Sequence, residues 1–378
     1  MTDTSIHLVS RISSIDQEAW DKCSGGKDPF TSYAFISSLE DSGCVSPETG
    51  WQPSHLQLKR GEDTIGVTPA YIKTHSYGEY VFDHGWASAF ERAGGRYYPK
   101  VQASIPFSPV NGPRLLAAKP KDKSLLAAGL RAAARNTNSS SAHMTFQTKA
   151  DAELMEQAGF LTRLGIQFQF ENRGYENFSD FLKSMSSRKR KNIKKERYAV
   201  DKDLTLQALT GNDLTTAHFD AFYSFYKDTS DRKWGQAYLN REFFDLLHQR
   251  LADKIVLMMA FCGSQPVAGA LNLRSDSTLF GRNWGCAEHY KFLHFELCYY
   301  MAIEYALEHG LQRVEAGAQG SHKVSRGYEP IVTYSSHYIE HLGFREAVEA
   351  FLAEERAQTK SEVAHINERM SPFRKQNY

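Results

Sequence analysis

Val256-Leu-Met-Met-Ala-Phe-Cys-Gly-Ser-Gln-Pro-Val-Ala-Gly-Ala-Leu-Asn-Leu273 decides the reading of this chain, because an earlier stretch repeats its pattern. That stretch is His55-Leu-Gln-Leu-Lys-Arg-Gly-Glu-Asp-Thr-Ile-Gly-Val-Thr-Pro-Ala-Tyr71. In each, an apolar strand meets a polar turn, at Gly263-Ser-Gln or Gly61-Glu-Asp, and returns as a strand of small residues carrying one glycine, Gly269 or Gly66. Both predict β-hairpins. The correspondence continues outward. An Ala/Leu-rich helix from Ser124 to Arg135 precedes His143-Met-Thr-Phe-Gln147, and a helix from Phe295 to His309, closed by Gly310, precedes Arg313-Val-Glu-Ala316. Each half then turns at a glycine-aromatic pair, Gly159-Phe160 or Gly327-Tyr328, into an alternating strand, 165–170 or 333–339. Four matches in one order predict a duplicated α+β unit, a mixed sheet with helices.

The expected domains are 1–172, carrying an aromatic and proline-rich insertion between Lys73 and Leu116; 173–343, opened by a basic helical segment; and 344–378, an amphipathic C-terminal helix with a polar tail. The chain's 378 residues suffice for two or three cores. Lys plus Arg (45) nearly balance Asp plus Glu (44), so a wholesale nucleic-acid coat or a polyacidic tail is excluded. Seven of the ten residues from Arg188 to Arg197 are nevertheless basic, with Glu196 the one acid among them. A helix there shows cations on more than one face, either as solvated surface or as a contact for the phosphates of an anionic carrier. Cysteines at 23, 44, 262, 286 and 298 form no CxxC pair, so neither a zinc ribbon nor a disulfide framework is expected, and a reducing cytoplasm fits. The first residues lack a basic segment followed by an apolar run, and nowhere do 18 apolar residues occur together, so neither a secretory signal nor a transmembrane segment is expected. No GxSxG, HExxH or P-loop motif occurs, which removes support for serine hydrolases, zincins and Walker-type NTPases.

Hairpin, helix, strand, glycine-aromatic turn and strand is also the layout of the GNAT acyltransferase fold, and two copies in one chain resemble the Fem-like transferases. The segments 73–83, Tyr97-Tyr-Pro-Lys100, 106–116, Ser187-Arg-Lys-Arg-Lys-Asn-Ile193, 292–300 and Glu315-Ala-Gly-Ala-Gln-Gly-Ser-His-Lys323 are similar to the bacterial FemAB-like predicted N-acyltransferases, whose assignment is peptidoglycan-related. The resemblance implies two tandem GNAT-like domains and transfer of an acyl or aminoacyl group to a small or carrier-linked amine. The donor would be acyl-CoA or aminoacyl-tRNA, with no metal. It also implies that backbone at a splay between two strands, here the ends of 280–286 and 314–318, meets the developing oxyanion. Coenzyme A enzymes of this fold place a glycine-rich phosphate loop before the central helix; Glu288-His-Tyr-Lys-Phe-Leu-His-Phe-Glu296 contains no glycine, which favours aminoacyl-tRNA or another carrier.

The residues themselves suggest roles. Glu315 or His294 is the expected proton acceptor, with Glu296 either a third catalytic candidate or a helix-dipole partner. A carboxylate in that role needs its pKa raised by burial. Arg282, Trp284, Gln319, His322, Lys323 and Arg326 are expected around the substrate, the last three as contacts to a phosphate or carboxylate. Tyr77, Asp83 and Trp86 are expected as pocket residues of the first half. Arg188, Lys189, Arg190 and Lys191 form the expected anion-binding patch, where tRNA or another anionic carrier is the candidate partner. The alternative from another class is a catalytically inert GNAT-fold module that recognises a cell-wall fragment or an anionic carrier.

Overall fold

Pro69 separates two short strands, Asp63–Thr68 and Ala70–Lys73, and sends them into different sheets. Proline cannot donate to a ladder, so a strand bends or ends where one is placed. The computed structural model describes residues 3–317 and 320–374. It divides into two compact units, 1–165 with 332–360 and 166–331 with 361–378.

In the first unit, Thr4–Val9, His55–Arg60, Asp63–Thr68 and Leu116–Ala117 form an antiparallel sheet. A second sheet runs Trp51–Pro53, Ala70–Lys73, Lys100–Ala103, Ser141–Gln147, and then the far part of Glu329–Ile339. Its one parallel pairing sets Val101 against Ala142 and Ala103 against Met144. The helix Pro120–Asn136 starts on a proline at its first turn, where a missing N–H costs nothing, and buries Leu126, Leu130 and Ala134. The C-terminal helix Leu342–His365 contributes Val348 and Leu352 to a cluster with Trp86 and Tyr97.

The second unit orders its strands Leu204–Leu209, Ile255–Cys262, Gln265–Arg274, Thr278–Cys286 and Arg313–Glu315, followed by the end of Leu161–Glu171. Ile255 to Ala260 are buried without interruption, as a strand covered on both faces requires. Here too one pairing is parallel, Thr278 to Phe280 against Arg313 to Glu315. Both units place a parallel pair after an antiparallel hairpin, a correspondence between the halves that the hydrophobic pattern did not specify. The compact units do not divide at 172 and 343. The strand ending the first half hydrogen-bonds through Gln169–Glu171 into the second unit's sheet, and the strand ending the second half pairs with Ser141–Gln147 of the first. Hydrophobic alternation reports that a strand exists, but not which sheet receives its hydrogen bonds.

The basic segment also differs from a single helix begun near Ser179. Phe178–Ser184 ends at Met185, which is extended and bridges Phe373, and Ser187–Tyr198 starts afresh. Among the described residues no helix is long and apolar enough to cross a membrane.

Candidate active site in the second unit

The parallel ladder lasts only three pairs. Beyond Phe280 and Glu315 the two strands follow different neighbours: 281–286 stays on 268–272, whereas Ala316 donates to the Phe168 carbonyl (3.1 Å) and Phe168 donates to that of Gly317 (3.3 Å). The resemblance implies a splay at the ends of 280–286 and 314–318; the same two strands part earlier, after Phe280 and Glu315. Arg282 is an extra residue there, because Asn272 opposes Gly281 while Leu271 opposes Asn283. Such a bulge re-aims the backbone and side chains beside it. Gly281 eases the close approach of the strands, since a Cβ at this position would lie 3.1 Å from the Glu315 carbonyl oxygen. Glu315 is buried at the mouth of the splay, only 7% exposed.

The central helix enters beside it. Leu293–Phe295 begins α-helical, Glu296–Tyr300 widens into a π-turn, and Met301–Glu308 resumes the α-helix. The π-turn carries a dense set of side-chain contacts. Glu296 is buried and accepts two hydrogen bonds from Arg197 Nε (3.0 and 3.1 Å) and one from Nη2 (2.7 Å), while the same guanidinium reaches Glu304 at 2.8 Å. Burial raises the Glu296 carboxyl pKa and Arg197 opposes that rise. Tyr300 donates to Glu196, which also receives Arg326 through Nε (3.1 Å) and Nη2 (2.9 Å to each oxygen). Arg326 in turn lies 3.5 Å over the Phe295 ring and donates to the His322 carbonyl. The last two side chains of the basic run thus turn inward and tie its helix to the central helix and to the loop before Gly327.

Within that loop, the Lys323 ammonium is buried and donates to the carbonyls of Ala316 and Gly317, fixing the backbone at the end of the short strand. Burial lowers its pKa to about 8. His322 is exposed, and its Nε2 lies 3.1 Å from the Tyr299 hydroxyl, with donor and acceptor set by the tautomer. Burial, then Arg326 and Lys323, lower its pKa, so the ring is neutral at pH 7 and able to accept a proton. Gly320 has φ +107°, and a Cβ there would come within 2.3 Å of the His322 ring. His294 packs between Trp284 (5.1 Å) and Tyr299 (5.5 Å), both edge-on.

The expected residues therefore separate by environment. Glu315, His294, Trp284, His322 and the bulged Arg282 belong to one region of the second unit. Lys323 and Arg326 do not offer their charges to an incoming anion, because backbone carbonyls and Glu196 take them. Glu296 is held in an ion pair rather than presented to a substrate. Gln319 lies outside the described residues. On the basic helix, Arg188 and Lys191 are exposed and Lys189 and Arg190 half-buried; with Lys194 and Lys195, none of them has an ion-pair partner among the described residues.

In the first unit, Asp83 is not a pocket wall. It is buried against Lys100 and accepts from the Tyr97 hydroxyl at 2.7 Å, while Lys100 also donates to Glu79 (2.7 Å) and Ser76 (2.8 Å). Burial works against the Asp83 charge, but Lys100 overrides it and holds the carboxyl below its usual range. Burial lifts the Glu79 carboxyl to about 7 and brings Lys73, whose ammonium lies 3.5 Å over the Trp51 ring, down to about 7. Trp86 is buried too, 4.9 Å from His337 and 5.0 Å under the Arg163 guanidinium. Only Tyr77 of the three residues expected there is open, at 60% exposure. Glu196, Arg197, Tyr299 and Tyr300 are organising residues that sequence reasoning missed; the lone acid inside a basic run was the available signal.

Among the described residues no cluster of His, Cys, Asp or Glu suits a metal ion. The solved structure of FemX aligns over 89% of this chain and 98% of its own, with 11% identity and a TM-score of 0.55. L-PGS from Bacillus licheniformis aligns over 83% and 93% with 9% identity and a TM-score of 0.51, and a conserved protein of unknown function from Bacteroides thetaiotaomicron over 89% and 99% with 10% identity and a TM-score of 0.52. At such identities the likeness establishes the fold. No curated protein sequence matches the chain. The FemAB-like family profile, described as peptidoglycan biosynthesis/recognition, matches residues 11–375, almost the whole chain. That match over almost the whole length shows that the chain belongs to the FemAB-like family.

Proposed function

We propose that the second unit transfers an acyl or aminoacyl group from an activated carrier to an amine. The observation that carries this reading is the splay after Phe280 and Glu315, bulged at Arg282, with Lys323 tying the loop that bears His322 to the carbonyls of Ala316 and Gly317. The amine nitrogen attacks the donor's carbonyl carbon, a C–N bond forms, and the bond to the carrier oxygen or sulfur breaks with its electron pair leaving on the carrier. The proton released by the amine passes to His322, hydrogen-bonded to Tyr299, and from there to the leaving group. Glu315, buried at the splay, orients the amine or takes its proton directly. The backbone beside the bulge is the proposed cradle for the developing oxyanion.

Side chains, not glycine N–H groups, occupy the passage 287–292 into the central helix, and Phe292 caps it in the left-handed region. This supports aminoacyl-tRNA or another carrier over coenzyme A as donor. The six cations from Arg188 to Lys195, spread over roughly 10 Å of helix at about 1.5 Å per residue, suit the phosphates of such a carrier. A cell-wall or lipid-linked amine, in keeping with the family description, is the proposed acceptor.

Mass spectrometry of amine acceptor mixtures, incubated with a panel of acyl-CoAs and with charged tRNA, tests the reaction. Mass gain by an acceptor with either donor class supports it. No transfer from any donor, with intact folding, leaves the binding-module alternative. His322→Ala and Glu315→Gln are expected to lower turnover at least a hundredfold without unfolding, and unchanged turnover in both refutes the assigned site.

A further inference from the structure

After its last pair with Glu315, the strand Thr278–Cys286 runs on for six residues, and the chain crosses to the helix through 287–292. That crossing borders a half-open cavity of about 370 Å³. Trp284, Cys286, Tyr290, Phe292, Leu293 and Phe295 form its walls. Phe292 and Phe295 stack at 6.2 Å, and Phe295 lies 5.7 Å from the His322 ring, so one end of the cavity meets the proposed proton acceptor. The charged lining residues, Glu288 and Lys291, are both exposed, as is His289, and His294 is half-buried against Trp284. Lys291 Nζ is already 5.5 Å over the Phe292 ring, which works against a second cation on that face. A charged group placed among these rings would lose its hydration with no buried counter-ion.

We propose that this cavity receives an apolar acyl group of the donor, either a fatty or arylalkyl chain or the side chain of an apolar aminoacyl group, and discriminates against charged ones. The inference rests on the acyl-transfer reading for the ligand's role, but the pocket's chemistry is tested without any transfer. Each methylene buried in the pocket is expected to tighten binding about two- to fourfold.

Neutral n-alkanamides from butanamide to decanamide, with leucinamide, phenylalaninamide and lysinamide, are titrated into the full chain by calorimetry and by tryptophan fluorescence. The expected result is affinity that climbs with chain length, a negative heat-capacity change, and lysinamide at least tenfold weaker than phenylalaninamide. Alkanamides binding more tightly than the two apolar aminoamides identify a fatty acyl donor; the reverse order identifies an aminoacyl donor, and both support the pocket. Trp284→Phe should keep the chain-length dependence and lose the fluorescence change, whereas Cys286→Asp should weaken decanamide at least tenfold. Affinity indifferent to chain length, or lysinamide as tight as phenylalaninamide, overturns the inference whatever the variants do. Binding as expected without transfer to any amine fails the acyl-transfer reading alone; transfer without chain-length dependence fails the pocket alone.

Discussion

Replacing Arg197 by methionine tests whether the basic helix is fastened to the central helix as described. Met keeps much of the side-chain volume but removes the cation that gives Glu296 three hydrogen bonds between 2.7 and 3.1 Å. The Glu296 side chain is 4% exposed, so water does not replace the lost donors; Arg197 is 27% exposed, which moderates the loss. Breaking such a pair from one side costs about 3 kcal/mol, the lower end of the range for buried pairs. The Glu304 contact adds only a few tenths, because its carboxylate is 36% exposed. For a unit of this size the loss corresponds to roughly 6 to 12 °C in the melting temperature of the second unit's calorimetric transition. The pH dependence gives the sharper signature. Burial already raises Glu296 above its usual 4.5, and removing Arg197 raises it further. A carboxyl with a raised folded pKa binds its proton more tightly folded than unfolded, so the variant loses stability as pH rises from about 4.5 through the folded value. The deficit relative to the parent should therefore be largest near pH 8 and shrink towards pH 5. Arg197→Met combined with Glu296→Gln should recover most of it, since no buried charge then remains unpaired. A deficit below about 1 kcal/mol, or one independent of pH from 5 to 8, would refute the reasoning.

Three further outcomes are expected. Because burial and two neighbouring cations lower the His322 pKa, kcat/KM should be level above pH 6.5 and fall only on the acid side, as the ring protonates; Tyr299→Phe should lower the plateau about tenfold, and a profile unchanged in His322→Ala would exclude this base. Gln at Arg188, Lys189, Arg190 and Lys191 together should flatten the slope of log affinity against log salt for tRNA by up to about 4, at about 0.9 per phosphate contact, while the melting temperature stays nearly constant; an unaltered slope makes these cations plain surface. Lys100→Met should destabilise the first unit by about 3 to 5 kcal/mol in calorimetry, because Asp83 and Glu79 would be left buried together, and a loss under 1 kcal/mol would contradict the buried cluster.

The repeat of hairpin, helix and strand was written in local patterns, at 55–71 and 256–273 above all, because side-chain alternation and turn glycines act over a few residues. The resemblance pointed to the right two strands for the splay but to their ends, at 286 and 318, whereas the strands part earlier, after Phe280 and Glu315. The destinations of the charged side chains were not. Lys323, Arg326, Glu296 and Asp83 all read as polar groups facing a ligand, yet each is occupied by a partner distant in sequence or by backbone. Glu196 and Arg197 read as the end of a basic run, but both turn inward, while the six cations from Arg188 to Lys195 stay exposed or half-buried.

What the sequence by itself determined is the α+β duplication, its family and the density of positive charge at 188–197, because each is a property of neighbouring residues. Tertiary structure decided which sheet receives each closing strand and which charges are neutralised. Those outcomes depend on hydrogen bonds, desolvation and packing between segments about a hundred residues apart, as from Arg197 to Glu296 and Glu196 to Arg326, and a local pattern carries no record of them.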